Sequence, residues 1–136
     1  MVKIYLDDMR TPTDDGWEVV RDYDSFCEKI EDIGLENIEI ISLDHDLGKT
    51  AIGEYFNNVI PNFTIDYDNI EEKTGYDCAK WLINHYEGNK KGYEFPKILV
   101  HSANPVGSKN ITSLINNFLK YIGMEPSCYR VQIPHV

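Results

Sequence analysis

The sequence predicts a single α/β domain, residues 1–136, built on a parallel sheet, and three observations carry that expectation. Short apolar runs that read as strands alternate with amphipathic stretches that read as helices, in the order β-β-α-β, a long segment, then α-β-α-β. Such alternation favours parallel strands with helices on both faces. A chain of 136 residues with 42% hydrophobic residues suits one compact core rather than two. Finally, acidic residues directly follow the first and third apolar runs, at the strand ends where open parallel sheets bind ligands.

Each element follows from its residues. Lys3–Leu6 is an apolar strand that delivers the chain to Asp7 and Asp8. Arg10–Gly16, with its Thr, Pro, Asp and Gly, is turn chemistry rather than helix. Trp17–Arg21 reads as a short second strand. Ser25 followed by Glu28 fits a capping box, and Phe26, Cys27, Ile30 and Ile33 recur at helical spacing until Gly34. Glu39–Leu43 is the third strand and leads into Asp44 and Asp46. Gly48–Thr74 is long, mixed in composition and weakly periodic, and reads as a loop that hangs over the acidic residues. Such a loop is either a lid or a plain surface insertion. Tyr76–Tyr86 is helical, with Ala79, Leu82, Ile83 and Tyr86 on one face. Pro96 opens a strand at Lys97–Val100. Ile111, Leu114, Ile115, Phe118, Leu119 and Ile122 form the stripe of a long helix, capped by Asn110 and ended by Gly123. Tyr129–Ile133 is the last strand, closed by Pro134.

Composition narrows the function classes. No apolar run is long enough to span a membrane. The opening Met1–Leu6 lacks the flanks of a signal peptide, so an intracellular, cytoplasmic protein is expected. Cys27, Cys78 and Cys128 are odd in number and far apart, which argues against disulfides and a structural zinc site. A net charge of −10 argues against gripping long nucleic acid through a basic surface. It is compatible with a small anionic ligand that arrives through a bound cation.

The motifs in combination resemble a known family. Leu6-Asp7-Asp8, Asp44, and Ser102-Ala103 occur in the order of a response-regulator receiver domain. A closer similarity is to the cyclic-phosphate processing receiver domain family. It rests on Leu6-Asp7-Asp8 with Arg10 and Pro12, on Ser42–Gly48, on Thr74–Asp77 with Trp81-Leu82, and on His101–Pro105. The similarity covers essentially the whole chain apart from an insertion at Lys49–Lys73. It implies a flavodoxin-like three-layer fold whose five-stranded sheet has the order 2-1-3-4-5, here with the first helix missing. It also implies a role in processing cyclic phosphates on RNA ends or nucleotides. The lysine that receivers carry before a proline after the last strand is absent, since Ile133-Pro134 stands there. A conventional phosphorylation switch is therefore not expected.

The residues suit such chemistry. Asp7, Asp8, Asp44 and Asp46 would converge four carboxylates, which repel unless a cation or a shared proton intervenes. Hard oxygen donors favour Mg²⁺ or Mn²⁺ over zinc. The competing reading is turn-making and helix capping by Asp. Asp44 and Asp46, two apart in an extended segment, should face one side and His45 the other. His45 and His101 end neighbouring strands, and two imidazoles can divide proton transfer at a phosphodiester. His85 and His135 read as structural. Ser102 offers a hydroxyl and an amide to phosphate oxygens, and Asn104 opens a turn suited to an anion. Arg10 either pairs with the carboxylates or clamps a phosphate. Trp17, Trp81, Tyr76 and Tyr86 read as core. Tyr55, Phe56, Phe63 and Tyr67 are the better stacking candidates, while Asp66, Asp68, Glu71 and Glu72 read as solvating the loop.

The resulting expectation is a metal-dependent phosphoesterase, a hydrolase acting on a 2′,3′-cyclic RNA 3′ end or a cyclic nucleotide. Asp7, Asp8, Asp44 and Asp46 would hold Mg²⁺ or Mn²⁺, and Asp44, His45 and His101 would form the catalytic set. Arg10, Ser102 and Asn104 would bind substrate. The alternatives are a non-catalytic receiver-like binding module and an acidic inhibitor of a partner protein.

Overall fold

The structure is a computed structural model that describes residues 1–89 and 92–136. Strands β1 (Val2–Leu6), β2 (Trp17–Val20), β3 (Ile38–Leu43), β4 (Lys97–Val100) and β5 (Tyr129–Arg130) form one sheet of order β2-β1-β3-β4-β5. Every neighbouring pair is parallel. The order and directions are those the motifs implied, and a turn replaces the helix between β1 and β2 as expected.

Alternation along the strands places the core. Ile4, Leu6, Val20, Ile41, Leu43, Ile98 and Val100 are buried and join one hydrophobic cluster. That cluster also takes Phe26 and Ile30 from α1 (Tyr23–Ile33), Cys78 and Leu82 from the helix Gly75–Asn89, and Ile111, Ile115 and Phe118 from the helix Pro105–Tyr121. Burying each such side chain contributes about 1.5–3 kcal/mol. All three helices connect strands that step the same way across the sheet, so right-handed crossovers set them on one face. These three helices therefore share one face of the sheet. On the other face Tyr5 packs edge-on to Trp17 and flat against His101.

Several boundaries differ from the sequence reading, each for a local reason. The α1 cap is Asp22, whose carboxylate accepts from the Ser25 amide and hydroxyl; Ser25 is inside the helix. The long helix starts six residues earlier in the chain than the Asn110 reading, at Pro105, because Asn104 caps it by accepting from Gly107 N at 2.9 Å. Asn110 then sits mid-helix, where its side chain donates to Tyr67. Strand β5 ends at Arg130, before Ile133.

The stretch expected to be a loop is mostly folded. Helix α2 (Lys49–Glu54) runs through a π-turn at Tyr55–Val59 into α3 (Ile60–Asn62). Side chains close it. Glu72 accepts from Ala51 N at 2.7 Å and from the Thr50 hydroxyl, and so caps α2 rather than merely solvating the segment. Glu54, 5% exposed, accepts from Asn58, from Asp66 N and from Asn69. Next come α4 (Gly75–Asn89) and α5 (Pro105–Tyr121). No helix among the described residues is long and apolar enough to cross a membrane.

Candidate functional site

The carboxyl ends of β1, β3 and β4 lie side by side, so the residues just beyond them meet. Carboxylate oxygens of Asp7, Asp8 and Asp44 fall within 4.8 Å of one another. Asp7 is 1% exposed and accepts four hydrogen bonds: Oδ1 from Met9 N and Arg10 N, and Oδ2 from Arg10 Nε at 2.8 Å and His101 at 3.1 Å. Burial pushes its carboxyl up, but the His101 bond, the two amides and the Arg10 charge outweigh this and hold it well below the usual carboxylate range. Asp8 is raised by burial and by the Asp7 charge. Asp44, 5% exposed, is pushed up to about 7, first by burial and then by the Asp7 charge, with Arg10 and the His45 amide opposing.

Arg10 bridges this pair of strands. Its Nε meets Asp7, and its Nη2 lies 3.5 Å from Asp44 Oδ2. Of the two roles open to Arg10 in the sequence, the structure shows the pairing with carboxylates. His101 stands between Ser42 Oγ, 2.7 Å from Nδ1, and Asp7 Oδ2 at Nε2. An ionised carboxylate only accepts, so Nε2 carries the proton and Nδ1 accepts from Ser42. Burial lowers the His101 pKa, with Asp7 opposing, so the ring is neutral near pH 7.

The other expected residues sit to one side. His45 is fully buried, with Nδ1 2.6 Å from Asp46 Oδ1 and Nε2 2.9 Å from the Tyr67 hydroxyl. A Cβ on Gly107 would lie 2.4 Å from the ring, so α5 begins directly against it. Asp46 also accepts from Asn104 Nδ2 at 3.2 Å, and lies outside the group formed by the other three acids. Asn104 is 2% exposed and is used as the α5 cap. His45, Asp46, Asn104 and Tyr67 thus form one polar network that fastens the 49–73 segment and α5 to the strand ends. No described hydrogen bond or ring contact joins His45 to His101. Tyr67, read as a stacking candidate for a ligand, instead stacks on Tyr76 at 5.5 Å.

The Thr74–Asp77 motif also acquires a physical reason. The Gly75 amide donates to His45 O at 2.9 Å, and a Cβ at Gly75 would lie 1.8 Å from Asp44 O. Only glycine allows α4 to approach the strand end this closely. Asp77 accepts from Thr74 N and closes the first turn.

Beside the carboxylates lies a cleft of about 830 Å³ lined by Tyr5, Arg10, His101, Ser102, Arg130 and the segment Val131–His135. Arg130 Nε donates to Ser102 O at 3.0 Å. Tyr5 OH is buried without a hydrogen-bond partner. The sequence did not single out Arg130 or Tyr5 for this place, and His135 reads there as structural. The signal existed for Arg130: in a parallel sheet β5 ends level with β4, as the pairing of Val100 with Arg130 shows.

The sequence pattern described as Cyclic-phosphate processing Receiver domain matches residues 2–117. The chain belongs to this family. Neither a curated protein nor a solved structure matches it. The cyclic-phosphate processing receiver match includes all four acids, Arg10, His45, His101, Ser102 and Asn104, and ends before Arg130 and His135.

Proposed function

We propose that this chain is a metal-dependent phosphoesterase that opens a cyclic phosphate, either a 2′,3′-cyclic RNA end or a cyclic nucleotide. One observation carries the reading: the three-carboxylate group and the arginine-flanked cleft meet at Arg10, which belongs to both. An anion in the cleft therefore lies next to the place for a cation.

The donor set fits a hard divalent cation. Asp7, Asp8 and Asp44 would hold Mg²⁺ or Mn²⁺ through oxygen alone. Asp8 and Asp44 are raised by burial and by the charge of Asp7, a repulsion that such an ion relieves. When bound, the ion supplies polarisation of the phosphoryl group and of a water. The chain's own groups do the rest. The Ser102 hydroxyl and the Arg130 guanidinium border the cleft and position phosphate oxygens. His101 and Arg10 both donate to Asp7 Oδ2 and hold that carboxylate in place. Asp46, His45 and Asn104 seat α5 and keep Ser102 at the cleft, with the Asn104 amide donating to Ser102 Oγ at 3.1 Å. A protein of charge −10 with arginines in one cleft takes small anions or a strand end there, rather than a long duplex.

The test is direct. Purified protein is incubated with 2′,3′-cyclic-ended RNA and with cyclic mono- and dinucleotides, in Mg²⁺, Mn²⁺ or EDTA. Turnover that disappears in EDTA and in Asp44→Asn is expected. Inertness on every substrate, with phosphate binding retained, would replace this reading with the non-catalytic module.

A further inference from the structure

We propose that His135 is the catalytic residue that transfers the proton at the reacting phosphate; this rests on the phosphoesterase reading above. Both ring nitrogens of His45 are engaged, by Asp46 and Tyr67, inside a fully buried network. Both nitrogens of His101 are engaged, by Ser42 and Asp7. His85 stacks on Trp81, away from the cleft. His135 lines the cleft together with Arg10, His101, Ser102 and Arg130.

Its ring is set for this role. Nδ1 lies 3.3 Å from Ile133 O, a carbonyl that only accepts, so Nδ1 donates there and Nε2 is the nitrogen left to meet a ligand. No described residue hydrogen-bonds Nε2. The segment is held in place where the chain lacks its helix between β1 and β2. Thr13 N donates to Pro134 O at 2.9 Å, Val136 N donates to Thr11 O at 2.9 Å, and Pro12 and His135 form an antiparallel bridge. Residues 131–135 thereby wall the open face of the sheet.

The cleft itself is built for a ligand. Tyr5 is 0% exposed, lines it, and leaves its hydroxyl unpartnered. The volume of about 830 Å³ falls within the range of small-molecule sites and accommodates a mononucleotide.

The step balances simply. A water oxygen bonds to phosphorus while its proton passes to His135 Nε2. The bond from phosphorus to one ribose oxygen breaks, and that oxygen takes a proton from solvent. A phosphomonoester results, and the imidazolium returns its proton to solvent. Arg10, Arg130, His101 and Tyr5 are the other charged or titratable groups lining the cleft.

The experiment compares His135→Ala and His135→Asn with the unaltered protein on the substrate that turns over. Asn keeps an amide that can donate to Ile133 O and loses the base. Both variants should lose kcat by about 10²- to 10⁴-fold with KM little changed, lose the acidic limb of the kcat profile, and recover activity with added imidazole. Ring NMR signals of His135 should shift on adding inorganic phosphate. Retained kcat in His135→Asn, or ring signals unmoved by phosphate, overturns this proposal while leaving the phosphoesterase reading intact. An unaltered protein inert on every substrate overturns both.

Discussion

Replacing Asp44 with Asn should stabilise this protein at neutral and alkaline pH in the absence of divalent ions. Asp44 lies 5% exposed beside an ionised Asp7, and its pKa rises from 3.8 to about 7 through burial and that neighbouring charge. A carboxyl whose folded value exceeds its unfolded value binds its proton more tightly when folded. Its contribution is therefore complete below about 3.8, is lost as pH rises towards 7, and is flat beyond. A rise of that size corresponds to roughly 4 kcal/mol at 1.36 kcal/mol per tenfold change. Asn keeps the oxygen that accepts from His45 N at 2.8 Å and removes the charge. At pH 8 in EDTA the variant should then melt on the order of 10 °C higher than the unaltered protein, at a few degrees per kcal/mol. At pH 4 the two should converge. Melting followed by circular dichroism between pH 4 and 8 measures this, and a second series with Mg²⁺ should stabilise only the unaltered chain strongly. A variant no more stable at pH 8 would show that Arg10 neutralises Asp44 fully, and the case for a cation there would fail.

Two further substitutions probe how the site is held. Gly75→Ala should destabilise by more than about 2 kcal/mol, since overpacking of this kind typically costs about 1–3 kcal/mol and the new Cβ would meet Asp44 O at 1.8 Å; denaturant unfolding midpoints give the answer. Tyr67→Phe removes the hydroxyl that meets His45 Nε2 and Asn110. A loss of about 1–3 kcal/mol is expected, together with faster hydrogen exchange across residues 49–73 while β1 and β3 stay protected. Unchanged exchange there would show that Glu54 and Glu72 alone hold the segment.

The sheet was legible because its signals are local. Lys3–Leu6, Ile38–Leu43 and Lys97–Val100 are short apolar runs bounded by turn residues, and strands need little more. The boundaries of α1 and α5 shifted because Asp22 and Asn104 outcompeted plausible caps three and six residues on. The segment Gly48–Thr74 reads as a loop in the sequence because it is mixed in composition and weakly periodic. What makes the segment fold is Glu54 and Glu72 reaching across more than ten residues, and no periodicity records such bonds.

The amino-acid sequence alone determined the parallel sheet, its missing first helix, and the acids at the ends of β1 and β3, because adjacent residues and strand ends are properties of the chain. Which of those acids share one spot was decided in three dimensions. Asp46 lies two residues beyond Asp44, yet the close approach of α4 at Gly75 and of α5 at Gly107 turns it to His45 and Asn104, while Asp44 turns to Asp7 and Arg10. The same holds for the cleft. Tyr5, Arg130 and His135 are far apart in the chain, and they meet only because the segment after β5 fills the face that the absent helix left open.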